Sequence, residues 1–128
     1  MFRKFGMAAL ILTASAMPAF AASSRCVDPI APSAVDGSKA TEAQMKGAHD
    51  DVVNFIKASD DYQQCLLDDL QAQKDTAAKA KDPKPIDPAI EDAVNDKIAA
   101  NQRLKEMVGG EYNASVQAFK GAHPSSGG

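Results

Sequence analysis

The two cysteines, Cys26 and Cys65, have the clearest chemistry in this sequence. In a chain that leaves the cytoplasm an even count predicts a disulfide, and two cysteines allow only one intramolecular pairing. The bridge would close a loop of about 40 residues, which stabilises a fold by roughly 4 kcal/mol in the chain-entropy account. Neither C-x-x-C nor C-x-x-C-H is present, so the sequence predicts no redox centre, no attached haem and no other cofactor.

Carboxylates are the second group that could do chemistry. Four aspartates are spaced by 11, 7 and 7 residues: Asp50, Asp61, Asp68 and Asp75. On a helix these steps return to nearly the same angle, so the four side chains would line one face, called here the acidic face. It is a candidate interaction surface for a basic protein partner or for cations. The alternative interpretation is a solvated helix surface that nearby lysines neutralise in part.

Other arrangements of reactive residues are missing from the sequence. Successive carboxylates of the acidic face lie about 10 Å or more apart, whereas a catalytic carboxylate pair needs about 5 to 9.5 Å. His49 has no second histidine four residues away, and His123 lies near the C-terminus. A zinc site needs three or four converging ligands, and acyl transfer needs a nucleophile beside a base. The sequence therefore predicts no catalytic residues, no metal site and no enzyme.

The N-terminus indicates export. Arg3 and Lys4 precede a short apolar run, and residues 19–21 read Ala-Phe-Ala, an A-x-A cleavage signal. Residues 1–21 are therefore predicted to be a cleaved signal peptide, since the run is too short for a membrane span of about 20 apolar residues. Residues 22–128 then form one domain with 12 basic and 17 acidic residues, a net charge of −5. The expected location is periplasmic or secreted, with no nucleic-acid partner and no stable membrane insertion.

The first long element begins at a capping box, in which Thr41 is the N-cap and Gln44 the N3 residue. Apolar or small residues then recur in steps of three and four, which is typical of one helical stripe: Met45, Ala48, Val52, Phe55, Ser59, Tyr62, Leu66, Leu70, Gln73, Ala77 and Ala80. The pattern predicts a helix over about 41–80.

Residues 81–88 contain three prolines and predict a turn. Asp87 is a good N-cap and Pro88 a good first helical residue. A second stripe follows at helical spacing: Ile90, Val94, Ile98, Asn101, Leu104, Val108, Tyr112, Ser115 and Phe119. It predicts a helix over about 88–120, followed by a disordered tail over 121–128.

The expected fold class is therefore all-α: an antiparallel two-helix hairpin over 41–120, with an extended N-terminal arm over 22–40 stapled by the disulfide. A turn centred near Lys84 would place Leu70 opposite Ile98. The adjacent Gly109 and Gly110 would kink or split the second helix, or let the two helices approach closely.

The disulfide restricts the path of the arm. Cys65 lies 24 residues beyond Thr41, about 36 Å along a helix. The 15 residues from Cys26 to Thr41 span at most about 50 Å, so the arm must run nearly straight back along the helix.

Two helices bury only the apolar surface along their single line of contact, so we expect another element to cover more apolar surface. The first candidate is the arm, with apolar residues that would cover a groove between the helices: Val27, Ile30 and Val35. The other candidate is a homodimer that closes a four-helix bundle.

The segment around the second cysteine, VVNFIKASDDYQQCL, carries a Y-x-x-C-L motif at Tyr62 to Leu66. Together with the signal peptide, Cys26 and its nearby prolines, and the TEAQM helix start, it resembles a group of small uncharacterised exported bacterial helical proteins with one disulfide. The resemblance covers roughly residues 26–67 and implies a bacterial periplasmic setting. No activity is attached to that group, so it implies no functional residues.

These features favour a non-enzymatic protein with an interaction or structural role in the cell envelope. One alternative is a small-ligand or cation-binding module that uses the acidic face. Another is a chaperone-like stress protein that shields clients with an exposed apolar edge of the hairpin.

Overall fold

Residues 25–125 are described by a computed structural model and form two long helices, α1 (Glu42–Ala78) and α2 (Pro88–Ala122). The ion pairs Asp60–Lys105 and Lys74–Glu91 cross between them and establish an antiparallel hairpin. The all-α hairpin predicted from the two stripes is confirmed. The predicted signal peptide, residues 1–21, the first three residues of the predicted arm, 22–24, and the last three residues of the chain lie outside the described part.

Local sequence explains where each helix begins. Thr41 Oγ1 accepts a hydrogen bond from Gln44 N at 3.2 Å, and the Gln44 side chain accepts one from Thr41 N at 2.8 Å. This is the predicted capping box. Asp87 caps α2 by accepting from Ala89 N at 2.9 Å, with Pro88 in the first turn. α2 continues two residues past the predicted end at 120 and is capped by the His123 N–H, which donates to the Phe119 carbonyl.

The core is a narrow seam along the predicted stripes. From α1 it buries six residues, namely Met45, Phe55, Ser59, Tyr62, Leu66 and Leu70, and from α2 it buries Asn101, Val108 and Ser115. All nine belong to the stripes read from the sequence. Within residues 25–125, neither helix has an apolar stretch that would let it cross a bilayer.

The register of the hairpin differs from the prediction by about one helical turn. Ile98, predicted to face Leu70, packs against the cluster of Tyr62 and Leu66. The prediction assumed a symmetric turn centred near Lys84. α1 ends at Ala78, two residues before the predicted end, so the connection over residues 79–87 is centred near residue 83. The pairs Asp60–Lys105 and Lys74–Glu91 agree with that centre.

The arm runs without regular secondary structure from Arg25 to Asp36, as the length argument requires. Apart from Ala31, which is also half-buried, its burial recurs every three residues. Four residues at this spacing are buried or half-buried (Cys26, Pro29, Pro32 and Val35), whereas Val27 and Ile30 are 82% and 93% exposed. A three-residue period is typical of an extended polyproline-type path. The prediction that Val27 and Ile30 cover a groove is therefore wrong, because this path turns them to solvent.

The close approach in this fold occurs at Gly37. A Cβ placed on Gly37 would lie 1.8 Å from the Ser115 carbonyl oxygen, so only glycine fits where the arm crosses α2. At Gly109 and Gly110, in contrast, an added Cβ would meet nothing within 4 Å. α2 is continuous through both of these glycines. The sequence-based prediction that they split the helix or bring the helices together is wrong.

Candidate functional site

The disulfide between Cys26 and Cys65 fixes the arm to the middle of α1. The two sulfurs are bonded at 2.05 Å and the two Cα atoms lie 5.6 Å apart. Cys26 is buried and packs with Tyr62 and Leu66, while Cys65 is half-buried. The predicted pairing is confirmed.

Asp69 lies one helical turn beyond Cys65 and contacts the bridge. Its Oδ2 is 3.4 Å from Cys26 Sγ, which carries no hydrogen in a disulfide, so the contact is not a hydrogen bond. Its Oδ1 accepts from Arg25 Nη2, also at 3.4 Å. The Asp69 side chain is 25% exposed, whereas that of Arg25 is 86% exposed. The two oxygens of this carboxylate therefore have different neighbours, one a cation and the other a sulfur.

An open cleft of about 420 Å³ lies beside the disulfide. Its lining combines a sulfur-bearing residue, three carboxylates, one guanidinium and one amide: Cys65, Asp61, Asp68, Asp69, Arg25 and Gln64. The cleft therefore connects the bridge with one section of the acidic face and with solvent.

Each member of the acidic face is exposed and is hydrogen-bonded to the residue four positions earlier on α1. Asp50 and Asp61 accept from lysines, each at 2.7 Å, and Asp68 and Asp75 accept from glutamines at 2.8 and 2.9 Å. The donors, in chain order, are Lys46, Lys57, Gln64 and Gln71. The N-terminal half of the face is therefore neutralised locally, whereas the C-terminal half keeps its negative charge.

The ion pairs shift the pKa values of the groups that form them. The hydrogen bond from Lys46, followed by that from His49, lowers the pKa of Asp50. The same bond raises the pKa of Lys46, and the bond to Asp61 raises the pKa of Lys57. The side chains of these groups are mostly exposed, and exposed pairs of this kind stabilise a helix only weakly.

His49 and Tyr112 meet at the open end of the hairpin, with ring centroids 5.9 Å apart. The His49 Nδ1 is 3.2 Å from Asp50 Oδ1, so a neighbour on the same helix orients the imidazole. Within the described residues, His49 is not part of a cluster of possible metal ligands. Three such side chains come together at the disulfide, namely Cys26, Cys65 and Asp69.

A polar network inside the seam was not predicted. Asn101 is 3% exposed and donates from Nδ2 to Ser59 Oγ at 3.3 Å, while its Oδ1 accepts from Gln63 Nε2 at 2.8 Å. Among residues 25–125, every buried side-chain nitrogen and oxygen has a hydrogen-bond partner. The available signal was that Ser59 and Asn101 are polar positions in stripes of mainly apolar or small residues, which is typical of paired polar groups in a seam.

Two other residues at these sites, Asp69 and Gly37, were also not predicted from the sequence. The position of Asp69 beside the bridge depends on the turn of α1 that follows Cys65, which a helical spacing of four could have indicated. Nothing in the sequence indicated that Gly37 must be glycine, because its close approach to Ser115 is a tertiary contact.

Comparison of the chain with protein-family models, with curated proteins and with solved structures finds no match.

Proposed function

We propose that this chain is a non-enzymatic protein of the bacterial periplasm that binds a basic protein partner through the C-terminal half of the acidic face. The observation that carries the proposal is the pairing of Asp68 and Asp75 with neutral glutamines. Their carboxylates are oriented by these bonds but keep their full negative charge, so they remain available to a cationic partner.

The spacing of the two carboxylates sets the geometry of the partner. Asp68 and Asp75 are seven residues apart on α1, which corresponds to about 10 Å along the helix axis. Lysine or arginine residues seven apart on a helix, or three apart on an extended segment, have the same separation. The partner surface is therefore a basic helix or strand that lies along α1.

The test is chemical cross-linking in intact cells, followed by mass spectrometry of what is captured. One sample carries Asp68→Asn and Asp75→Asn. The matched control carries Asp50→Asn and Asp61→Asn, which changes the net charge equally but at the lysine-paired positions. A specific partner that is captured by the wild type and the control, and lost from the first variant, is the expected result. Equal capture by all three proteins, or equal loss from both variants, would contradict the proposal.

The cation-binding alternative is less well supported on this face. A single ion needs several oxygens at about 2.0 to 2.6 Å, and successive members of the acidic face are separated by about 10 Å or more.

A chaperone-like role is favoured by a different observation, the exposure of Val27 and Ile30 on the arm. These two apolar side chains lie next to the disulfide that fixes the arm, so they could contact apolar segments of unfolded clients. Suppression of the thermal aggregation of a client enzyme tests this second candidate. Replacement of both residues by serine should abolish suppression, whereas the Asp68→Asn, Asp75→Asn variant should retain it.

A further inference from the structure

Three potential ligand atoms converge where the arm meets α1. The sulfurs of Cys26 and Cys65 and a carboxylate oxygen of Asp69 all lie within 4.8 Å of one another. They come from two separate segments of the chain, the arm and the middle of α1. Two thiolates and one carboxylate form a ligand set that suits Zn²⁺ and related thiophilic d¹⁰ ions.

We propose that reduction of the disulfide converts this corner into a binding site for a zinc-like ion, with ligands Cys26 Sγ, Cys65 Sγ and Asp69 Oδ2. A dithiol reductant supplies two electrons and two protons to break the S–S bond, and is itself oxidised to a disulfide. Binding of the ion then displaces the two thiol protons, because the thiolate is the metal ligand.

The separations in the oxidised structure are close to those that the ion needs. Zn–S and Zn–O bonds of about 2.3 and 2.0 Å with tetrahedral angles place a sulfur and an oxygen about 3.5 Å apart. Asp69 Oδ2 and Cys26 Sγ are already 3.4 Å apart. The same geometry places two sulfurs about 3.8 Å apart, so they must separate from 2.05 Å once the bond is broken.

The surroundings complete the site. Arg25 holds Oδ1 of Asp69, which leaves Oδ2 directed at the sulfurs. The adjacent open cleft gives an ion a path to the ligands and supplies water as a fourth ligand. Asp61 and Asp68 line this cleft, and their negative charges favour the entry of a cation.

The consequence for the fold is that a metal ion replaces the disulfide as the cross-link between the arm and α1. In the oxidised protein a covalent bond ties the arm to α1. After reduction, the same residues would be tied through the ion, and removal of the ion would release residues 26–34. The proposal thus differs from the binding of a partner by Asp68 and Asp75, and either can fail without the other.

The first test uses Cd²⁺ as the probe, because its thiolate complexes absorb strongly in the ultraviolet. The protein is reduced with a phosphine, which adds no competing thiol, and is titrated with Cd²⁺ and then with Zn²⁺ in competition. We expect one equivalent bound, with an amplitude for two thiolates, and no such band from the oxidised protein. Asp69→Asn should weaken the affinity for Cd²⁺ at least tenfold, whereas Asp51→Asn, the same change at an exposed position of α1, should leave it unchanged.

The second measurement is limited proteolysis of the reduced protein with and without Zn²⁺, with helix content followed by circular dichroism. Zn²⁺ should restore protection of residues 26–34 in the reduced wild type but not in Cys26→Ser. Equal affinity of the two aspartate variants would overturn the proposal. So would one ion for every two chains, or a reduced arm that stays cleavable when saturated with Zn²⁺.

Discussion

At Gly37 the arm lies so close to α2 that the side chain has to be a hydrogen atom. A methyl group there would lie 1.8 Å from the carbonyl oxygen of Ser115, a backbone atom that cannot move aside without distorting the helix. The hydroxyl of Ser115 adds a hydrogen bond of 2.5 Å to the Val35 carbonyl. These contacts attach the C-terminal end of the arm, as the disulfide attaches its other end.

We therefore expect Gly37→Ala to lower the free energy of unfolding by about 1 to 3 kcal/mol, because the added carbon overpacks the contact. Urea denaturation followed by circular dichroism measures this change. Gly110→Ala is the matched control, since an added Cβ there meets nothing within 4 Å. It should raise the free energy by up to about 1 kcal/mol, the advantage of alanine over glycine inside a helix. A neutral Gly37→Ala variant would contradict the observed contact.

Tyr62 gives the molecule a pH dependence in alkali. Burial of the ring, followed by the nearby charge of Asp28, raises the pKa of its hydroxyl above the ordinary value of about 10. A raised pKa means that the neutral form is favoured in the folded state. This contribution to stability is fully present below the unfolded pKa and is lost as the pH rises through the folded pKa.

We expect the free energy of unfolding to fall as the pH rises above about 10, with a smaller fall in Tyr62→Phe, which has no proton to lose at this position. Urea denaturation across this range measures both proteins. Identical slopes for the two would show that Tyr62 is not the group responsible.

At the scale of the elements, each helix is defined by its start and by one buried face. The capping box satisfies two backbone N–H donors, those of Thr41 and Gln44, whereas the Asp87 side chain satisfies one at the start of α2, that of Ala89. The exposed faces are held mainly by bonds between residues four apart, which contribute only a few tenths of a kcal/mol each. Helix position therefore depends on the caps and the seam rather than on the charged surface.

Thr41→Ala should lower the free energy of unfolding by about 1 kcal/mol, because the N–H of Gln44 loses its acceptor. Thr41→Ser is the control and should keep most of the stability, since serine also accepts this hydrogen bond. Thermal or urea unfolding of the three proteins gives the comparison. An equal loss in both variants would mean that the threonine methyl group, and not the cap, is responsible.

For the whole molecule, the arm and the hairpin form one folded unit because the arm is attached at two places. One attachment is the Cys26–Cys65 bridge, and the other is the packing of Gly37 on Ser115. The bridge closes a loop of 39 residues in sequence separation. Its main effect in the chain-entropy account is to reduce the freedom of the unfolded chain.

The double variant Cys26→Ser, Cys65→Ser should therefore lose about 2 to 5 kcal/mol in the free energy of unfolding, measured by urea denaturation. Its helix content in the absence of urea should remain close to that of the wild type, because both helix caps lie away from the bridge and the bridge contacts only the section of the seam around Tyr62 and Leu66. A loss below about 1 kcal/mol would indicate that the contact at Gly37 alone holds the arm.

The sequence by itself determined the two helices, their capping residues, the buried face of each and the disulfide. These features depend on local residue spacing, on the chemistry of the N-cap and on the presence of only two cysteines, which can form only one intramolecular disulfide. Phe55, Tyr62 and Leu66 were therefore placed correctly in the seam.

The tertiary structure alone decided the register of the hairpin, the outward direction of Val27 and Ile30, and the role of Gly37. It also brought Asp69 to the disulfide and paired Asn101 with Ser59. Each of these depends on where segments distant in sequence meet, which residue spacing does not encode. The extended arm shows the difference. The bridge required its backbone to run straight along α1, but only packing against the two helices decided which of its side chains face solvent.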